Sequence, residues 1–126
     1  MDTELPSELK NSKNEKVLDH LAPLSCHSDI VDPIHNSLSR YPDVHSFCPD
    51  PQNFRYCCWY VGDTILAFAS GMRNIGLRLP ESVREEATSC GATACINAGP
   101  EWYEYPYDTD QMVRMVAVSY EYAKKS

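Results

Sequence analysis

The side chains of this 126-residue chain that could do chemistry are its six cysteines and four histidines. Cys26-His27, His35, His45, Cys48 and Cys57-Cys58 put zinc-type ligands into the first half of the chain. Structural zinc sites draw two ligands from one short, regularly spaced turn. No such Cys or His pair occurs here, so the spacing argues for separate loop histidines and buried thiols, and no metal or cofactor is expected. Cysteine or serine nucleophiles need a nearby base and a group to orient it. His20, His27, His35 and His45 are the available bases, and none stands in a catalytic motif, so no catalytic residue is assigned. Vicinal Cys57 and Cys58 would face opposite sides of a strand, which prevents their pairing. Cys90 and Cys95 flank four small residues and are close enough in sequence to bridge, with buried thiols as the alternative.

A second kind of chemistry is recognition. Trp59, Trp102, Tyr103, Tyr105 and Tyr107 form a dense aromatic set, and Arg55 and Arg78 fall among the same strands. Aromatic residues and arginine anchor protein interfaces. The expected binding residues are therefore Arg55, Trp59, Arg78, Trp102, Tyr103 and Tyr105, weighed against a plain core role for the two tryptophans.

Composition narrows the classes of function. The net charge is -7 and the pI about 4.9. No lysine occurs between Val17 and Ala123, and the six arginines are scattered, which disfavours direct contact with nucleic acid. No run approaches the roughly 20 apolar residues of a membrane span. The polar start, MDTELPSELKNSKNEK, lacks an apolar leader, so a cytoplasmic location and reduced thiols are expected.

These residues need elements to position them. Residues 1–16 are poor in apolar groups and read as a mobile tail, with Val17, Leu18, Leu21 and Leu24 able to form a short docked helix. Residues 1–27 are accordingly set apart from a single domain over 28–126. Asp32 and Pro33 suit a helix start, Ile34, Leu38 and Tyr41 give an apolar stripe, and Pro42 ends it. HSFCPDPQN, residues 45–53, reads as a loop. Residues 54–61 read as a strand with apolar groups on both faces. Gly62-Asp63 predicts a tight hairpin turn. Residues 64–70 read as a central strand, and residues 74–79 as an alternating one in which Gly76 marks a bulge or close approach. Ser82 and Glu85 fit a capping box for a helix that Gly91 closes. Residues 102–107 have strand composition, and Pro106 predicts an edge position or a strand end. Asp108 to about Lys124 is predicted as the last helix, with Met112, Val113, Val116, Tyr120 and Ala123 inward. The expected fold class is α+β, a three-strand antiparallel meander with a further edge strand and helices in two layers.

YVGDTILAFAS, IGLRLPESVREEATSCGA and EWYEYPYDTDQMVRMVAVSYEYA follow one another in an order that resembles the N-terminal domain of TfoX-type proteins. They are similar, less closely, to the related YjbR (MmcQ) family. The resemblance covers roughly residues 54–124. It implies a secretion-chaperone-like α+β fold and a regulatory role. In full-length TfoX proteins this domain sits beside a C-terminal domain, for which no counterpart is expected here. The pattern departs from the family at Arg55-Tyr56-Cys57-Cys58, where the family tends to carry a Met-Phe-Gly-Gly-like start. The expectation is a non-catalytic domain acting through a protein partner or as a homodimer. The alternative is a small-molecule or metal-binding, enzyme-like domain using the Cys/His groups.

Overall fold

The Gly62–Asp63 turn sets the geometry of the sheet. Gly62 has φ of 60°, the left-handed region that a tight hairpin needs and a side chain resists. In the computed structural model, which describes residues 6–22, 36–47, 56–70, 74–106 and 110–125, this turn joins β2 (Cys57–Val61) to β3 (Thr64–Ser70). Before them comes β1 (Val44–Phe47); after them come β4 (Asn74–Arg78), β5 (Thr93–Ala94) and β6 (Trp102–Pro106). All pairings are antiparallel, in the spatial order β1-β2-β3-β4-β6-β5. The helices are α1 (Ser12–Leu21), α2 (Glu81–Ser89) and α3 (Asp110–Lys125), with a short 3-10 turn at Ser7–Leu9 and helical residues at 36–38. The fold is thus α+β, with an open six-stranded antiparallel sheet.

Both faces of that sheet are covered, as two-sided apolar strands require. On one face Cys57, Trp59, Val61, Leu77 and Tyr105 pack with Met115, Val116, Tyr120 and Ala123 of α3 and Ala87 of α2. On the other, Cys58, Tyr60, Ile65, Phe68 and Trp102 pack with Leu9, Val17 and Leu21. Helices therefore lie on both sides of the sheet, rather than in a two-layer arrangement. Phe68 stands opposite Gly76 across β3 and β4. A Cβ at Gly76 would fall well inside contact distance of three carbons of the Phe68 ring, so glycine here is a close approach and not a bulge. The irregularity lies elsewhere: the pairing runs Trp59↔Ala67 and then Tyr60↔Ile65, skipping Leu66.

Several expectations change. The mobile tail does not hold for residues 6–16, where Leu9 and Asn14 are fully buried and α1 begins at Ser12; Val17, Leu18 and Leu21 lie in a docked helix as expected. His45–Phe47, read as loop, join Val44 in a strand because they complete a pairing with β2 that no local signal announces. Trp102–Pro106 is no edge, since β5 pairs along its outer side; Pro106 stands at the end of the strand, the other position that its missing N–H allows. The capping box does not form; Pro80 is the N-cap of α2, and no side chain caps it. Gly91 closes that helix as expected, with φ of 99°. Asp32, Pro33, Ile34 and Asp108, and the side chains of Met112 and Val113, lie outside what is described.

Candidate functional site

Alternation along β6 sends its aromatic residues to two sides. Trp102 packs with Phe68 on the α1 face, their ring centroids 5.1 Å apart. Tyr105 is buried on the α3 face, and Tyr103 packs half-buried against the same cluster. Trp59 and Arg78 are each only 2% exposed. Four of the expected interface anchors are therefore interior to the fold, because β6 is not at an edge and helices cover both faces. Tyr103 keeps partial exposure. Arg55 lies outside the described residues.

Arg78 is the centre of a buried polar network. Its Nε donates to Ile65 O at 2.6 Å, Nη1 to Glu101 Oε1 at 2.5 Å, and Nη2 to Asn14 Oδ1 at 3.1 Å and Lys13 O at 3.3 Å. The guanidinium also lies 5.0 Å from the Trp102 ring centroid. Burial pushes its pKa down, and Glu101 pulls it back up. Glu101 also accepts from the Tyr122 hydroxyl at 3.0 Å. Four hydrogen bonds from the five N–H groups of the planar fork reach acceptors in α1, β3 and the β5–β6 connection, so Arg78 fastens α1 to the sheet.

The structure brings one thiol and imidazole together. Cys95 Sγ lies 3.4 Å from His20 Nε2, although the two are 75 positions apart. This is the geometry of a nucleophile and its base, but the electrostatics run the wrong way. Burial, with a hydrogen bond and negative charge from Glu104, pushes the Cys95 thiol up to about 12. Cys58, buried on the same face, is likewise pushed to about 12 by desolvation. Cys90 and Cys95 are both free, so no bridge joins them. Cys57, however, is disulfide-bonded, which overturns the expectation of six reduced thiols. The sequence shows which cysteines can pair, not which are neighbours in space. Among the described residues, no group of three or more His, Cys, Asp or Glu could hold a metal ion.

A further feature is a cleft of about 520 Å³ at the β1 side of the sheet. Leu38, Ser39, Tyr41 and Pro42 form one wall; Val44, His45, Ser46, Trp59 and Tyr60 form the other. Tyr41 is held by stacking on Tyr120, centroids 3.9 Å apart and planes 15° from parallel. The Tyr120 hydroxyl donates to both oxygens of Asp43, at 2.8 and 2.9 Å, and Lys124 Nζ lies 3.6 Å from the same carboxylate. Asp43 is thereby committed to α3. Ser46 stands directly opposite Trp59 in the β1–β2 pairing, so their side chains share the α3 face. The Trp59 Nε1, shut off from solvent, has no hydrogen-bond partner among the described residues. Sequence reasoning singled out Trp59 for binding but not Ser46, which reaches the cleft only through the pairing of β1.

No family model, curated protein or solved structure matches this chain. No helix among the described residues is long and apolar enough to cross a membrane.

Proposed function

We propose that this chain is a non-catalytic domain that works through protein contacts, as its resemblance to TfoX N-terminal domains implies. The observation that supports it is β1. This strand lies at the end of the sheet, and among the described residues no strand pairs with its outer side. Val44 N–H donates to Tyr41 O, away from β2, and alternation then puts the Ser46 N–H on the same outer side. An extended segment of a partner, or β1 of a second copy, would add there as a further strand. The inert state of Cys95 supports the non-catalytic part. Contact with nucleic acid has no place in the reading, given the net charge of -7.

The proposed setting is the cytoplasm. The disulfide at Cys57 speaks against it, because reducing compartments keep such bonds open. Alkylation of cells quenched and unfolded in acid decides the point: a Cys57 that resists alkylation until reduced would place the chain in an oxidising compartment. For the contact itself, Ser46→Pro removes an outer N–H while leaving the β1–β2 ladder in place. Sedimentation over a range of concentrations and cross-linking in cells should show a second chain at β1, lost in Ser46→Pro. A strictly monomeric protein with no cross-link near β1 would sink the reading.

A further inference from the structure

We propose that the disulfide of Cys57 is made with Cys48 and clamps β1 to β2, so that its reduction loosens the strand on whose outer side a partner would add. The clamp is argued from cysteine counting and strand pairing alone; only its bearing on a partner rests on the protein-contact reading.

Counting leaves two candidates. Of the six cysteines, Cys58, Cys90 and Cys95 are free and Cys57 is bonded, so within one chain its partner is Cys26 or Cys48. Pairing separates them. β1 and β2 run antiparallel, with Ser46 matched to Trp59 and Phe47 to Cys58. Cys48 is the next residue in the sequence, and one more step of the same register matches it with Cys57. Two independent contacts fix what kind of step that is. Val44 N–H turns away from β2 to Tyr41 O, so Val44 and Ser46 stand in non-hydrogen-bonded pairs, and position 48 follows by alternation. From the other side, the two-residue turn makes Val61 and Thr64 a hydrogen-bonded pair, and alternation then aims the backbone groups of Trp59 and Cys57 at β3, not at β1. Residues in a non-hydrogen-bonded pair have Cα atoms about 4.5 Å apart, inside the roughly 4.4–6.8 Å that a disulfide spans. Cys57 also packs in the α3-side cluster with Trp59 and Val61, the face to which alternation assigns Val44, Ser46 and position 48. Among the described residues, no pairing matches Cys26 to Cys57.

The bond secures the less firmly held end of β1. This strand has four residues and, among the described residues, a neighbour on one side only. Its start is fixed to α3, through Tyr41 stacked on Tyr120 and Asp43 bonded to the Tyr120 hydroxyl. Its end has Phe47, whose ring lies 6.4 Å from that of Tyr56, and then the disulfide. Reduction is thiol–disulfide exchange with a dithiol: one thiolate attacks a sulfur, the second displaces the mixed disulfide, both cysteines take up a proton, and the reductant leaves as its own disulfide. Cys58, Cys90 and Cys95 being free, the bond at Cys57 is the one that a reductant breaks among the described residues.

The test uses the full chain, purified without reductant. Trypsin cuts after Arg40, Arg55 and Arg73, which puts Cys26, Cys48 and Cys57 on separate peptides. Mass spectrometry without reduction should find peptide 41–55 linked to peptide 56–73, with fragmentation placing the bond at Cys57. A link from the peptide that carries Cys26, or no link, would overturn the pairing. Dithiothreitol supplies the reduced state. Hydrogen exchange at the His45 and Phe47 amides, which alternation turns toward β2, should quicken about tenfold or more on reduction. The Ile65 N–H, held by Asn14, should keep its rate. Cys48→Ala should exchange at the fast rate with or without dithiothreitol, and Cys26→Ala should retain the difference. Unchanged exchange at β1 in the reduced chain, or a Cys48→Ala chain that still responds to dithiothreitol, would overturn the clamp. Stronger cross-linking at β1 in the oxidised chain would support its bearing on a partner. Equal cross-linking in both states would overturn that bearing and leave the contact reading standing. No cross-link in either state would sink the contact reading and that bearing with it, while the peptide link and the exchange rates still decide the clamp.

Discussion

Asn14→Ala should detach the N-terminal helix from the sheet. Asn14 is fully buried in α1 and uses all its hydrogen-bonding capacity. Its Nδ2 donates to Asp63 O at 2.8 Å and Leu9 O at 3.2 Å. Its Oδ1 accepts from Ile65 N and Arg78 Nη2, each at 3.1 Å. Two carbonyls on one side and two N–H groups on the other fix the orientation of the amide. Not all four partners would be stranded. Asp63 O keeps the Asn11 side chain at 2.9 Å, Leu9 O keeps the Asn11 backbone N–H at 3.0 Å, and Arg78 keeps Ile65 O, Glu101 and Lys13 O. The uncompensated group is the buried Ile65 N–H, next to the place where the β2–β3 pairing skips Leu66. An unsatisfied buried donor costs about 1–3 kcal/mol, and the space left by the amide adds roughly 1 kcal/mol, so the expected loss is about 2–4 kcal/mol. Urea unfolding measures the total, and hydrogen exchange locates it: amides of α1 should lose protection before those of β3. Asn14→Asp keeps the volume but turns two donors into acceptors, and a similar loss there assigns the effect to hydrogen bonding. A change of less than about 0.5 kcal/mol in Asn14→Ala, with α1 still protected, would refute the reasoning.

Other outcomes follow from packing and charge. Gly76→Ala should cost about 1–3 kcal/mol in urea unfolding, because the new methyl group must displace a Phe68 ring already packed on Trp102; a neutral result would mean the ring moves freely. Asp43 is held below its ordinary 3.8, chiefly by the Tyr120 hydroxyl. The folded form therefore binds that proton less readily than the unfolded chain, so its contribution is complete above about pH 4 and fades as the pH falls through the lower folded value. Asp43→Asn should flatten that acid-side decline in unfolding midpoints measured between pH 6 and 3, and an unchanged slope would count against the Asp43–Tyr120 contact. Of the six cysteines, the disulfide at Cys57 consumes two, so denatured, unreduced protein should titrate four thiols and reduced protein six. In the native state exposed Cys90 should react quickly, and buried Cys58 and Cys95, both at about 12, slowly. Six thiols without reductant would exclude the bond.

How far residues alone reach depends on whether the deciding contact is local. The Gly62–Asp63 turn, the two-sided strands around it, the glycine at 91 and the inward stripe of Val116, Tyr120 and Ala123 are properties of neighbouring residues. They were legible in order, and so was the α+β class. Tertiary structure decided what depends on pairing between distant segments. Residues 6–16 are too polar to predict an ordered element; they dock because Arg78, more than 60 positions away, offers its donors to Asn14 and Lys13. Val44–Phe47 becomes a strand only beside β2, and that pairing sets Ser46 against Trp59 and makes the cleft. His20 meets Cys95 only because α1 crosses the face that carries Phe68 and Trp102. The cysteines and histidines could be listed as chemistry from their types, but their state could not. Burial beside Glu104 keeps one thiol protonated, and spatial neighbourhood alone made a disulfide of Cys57.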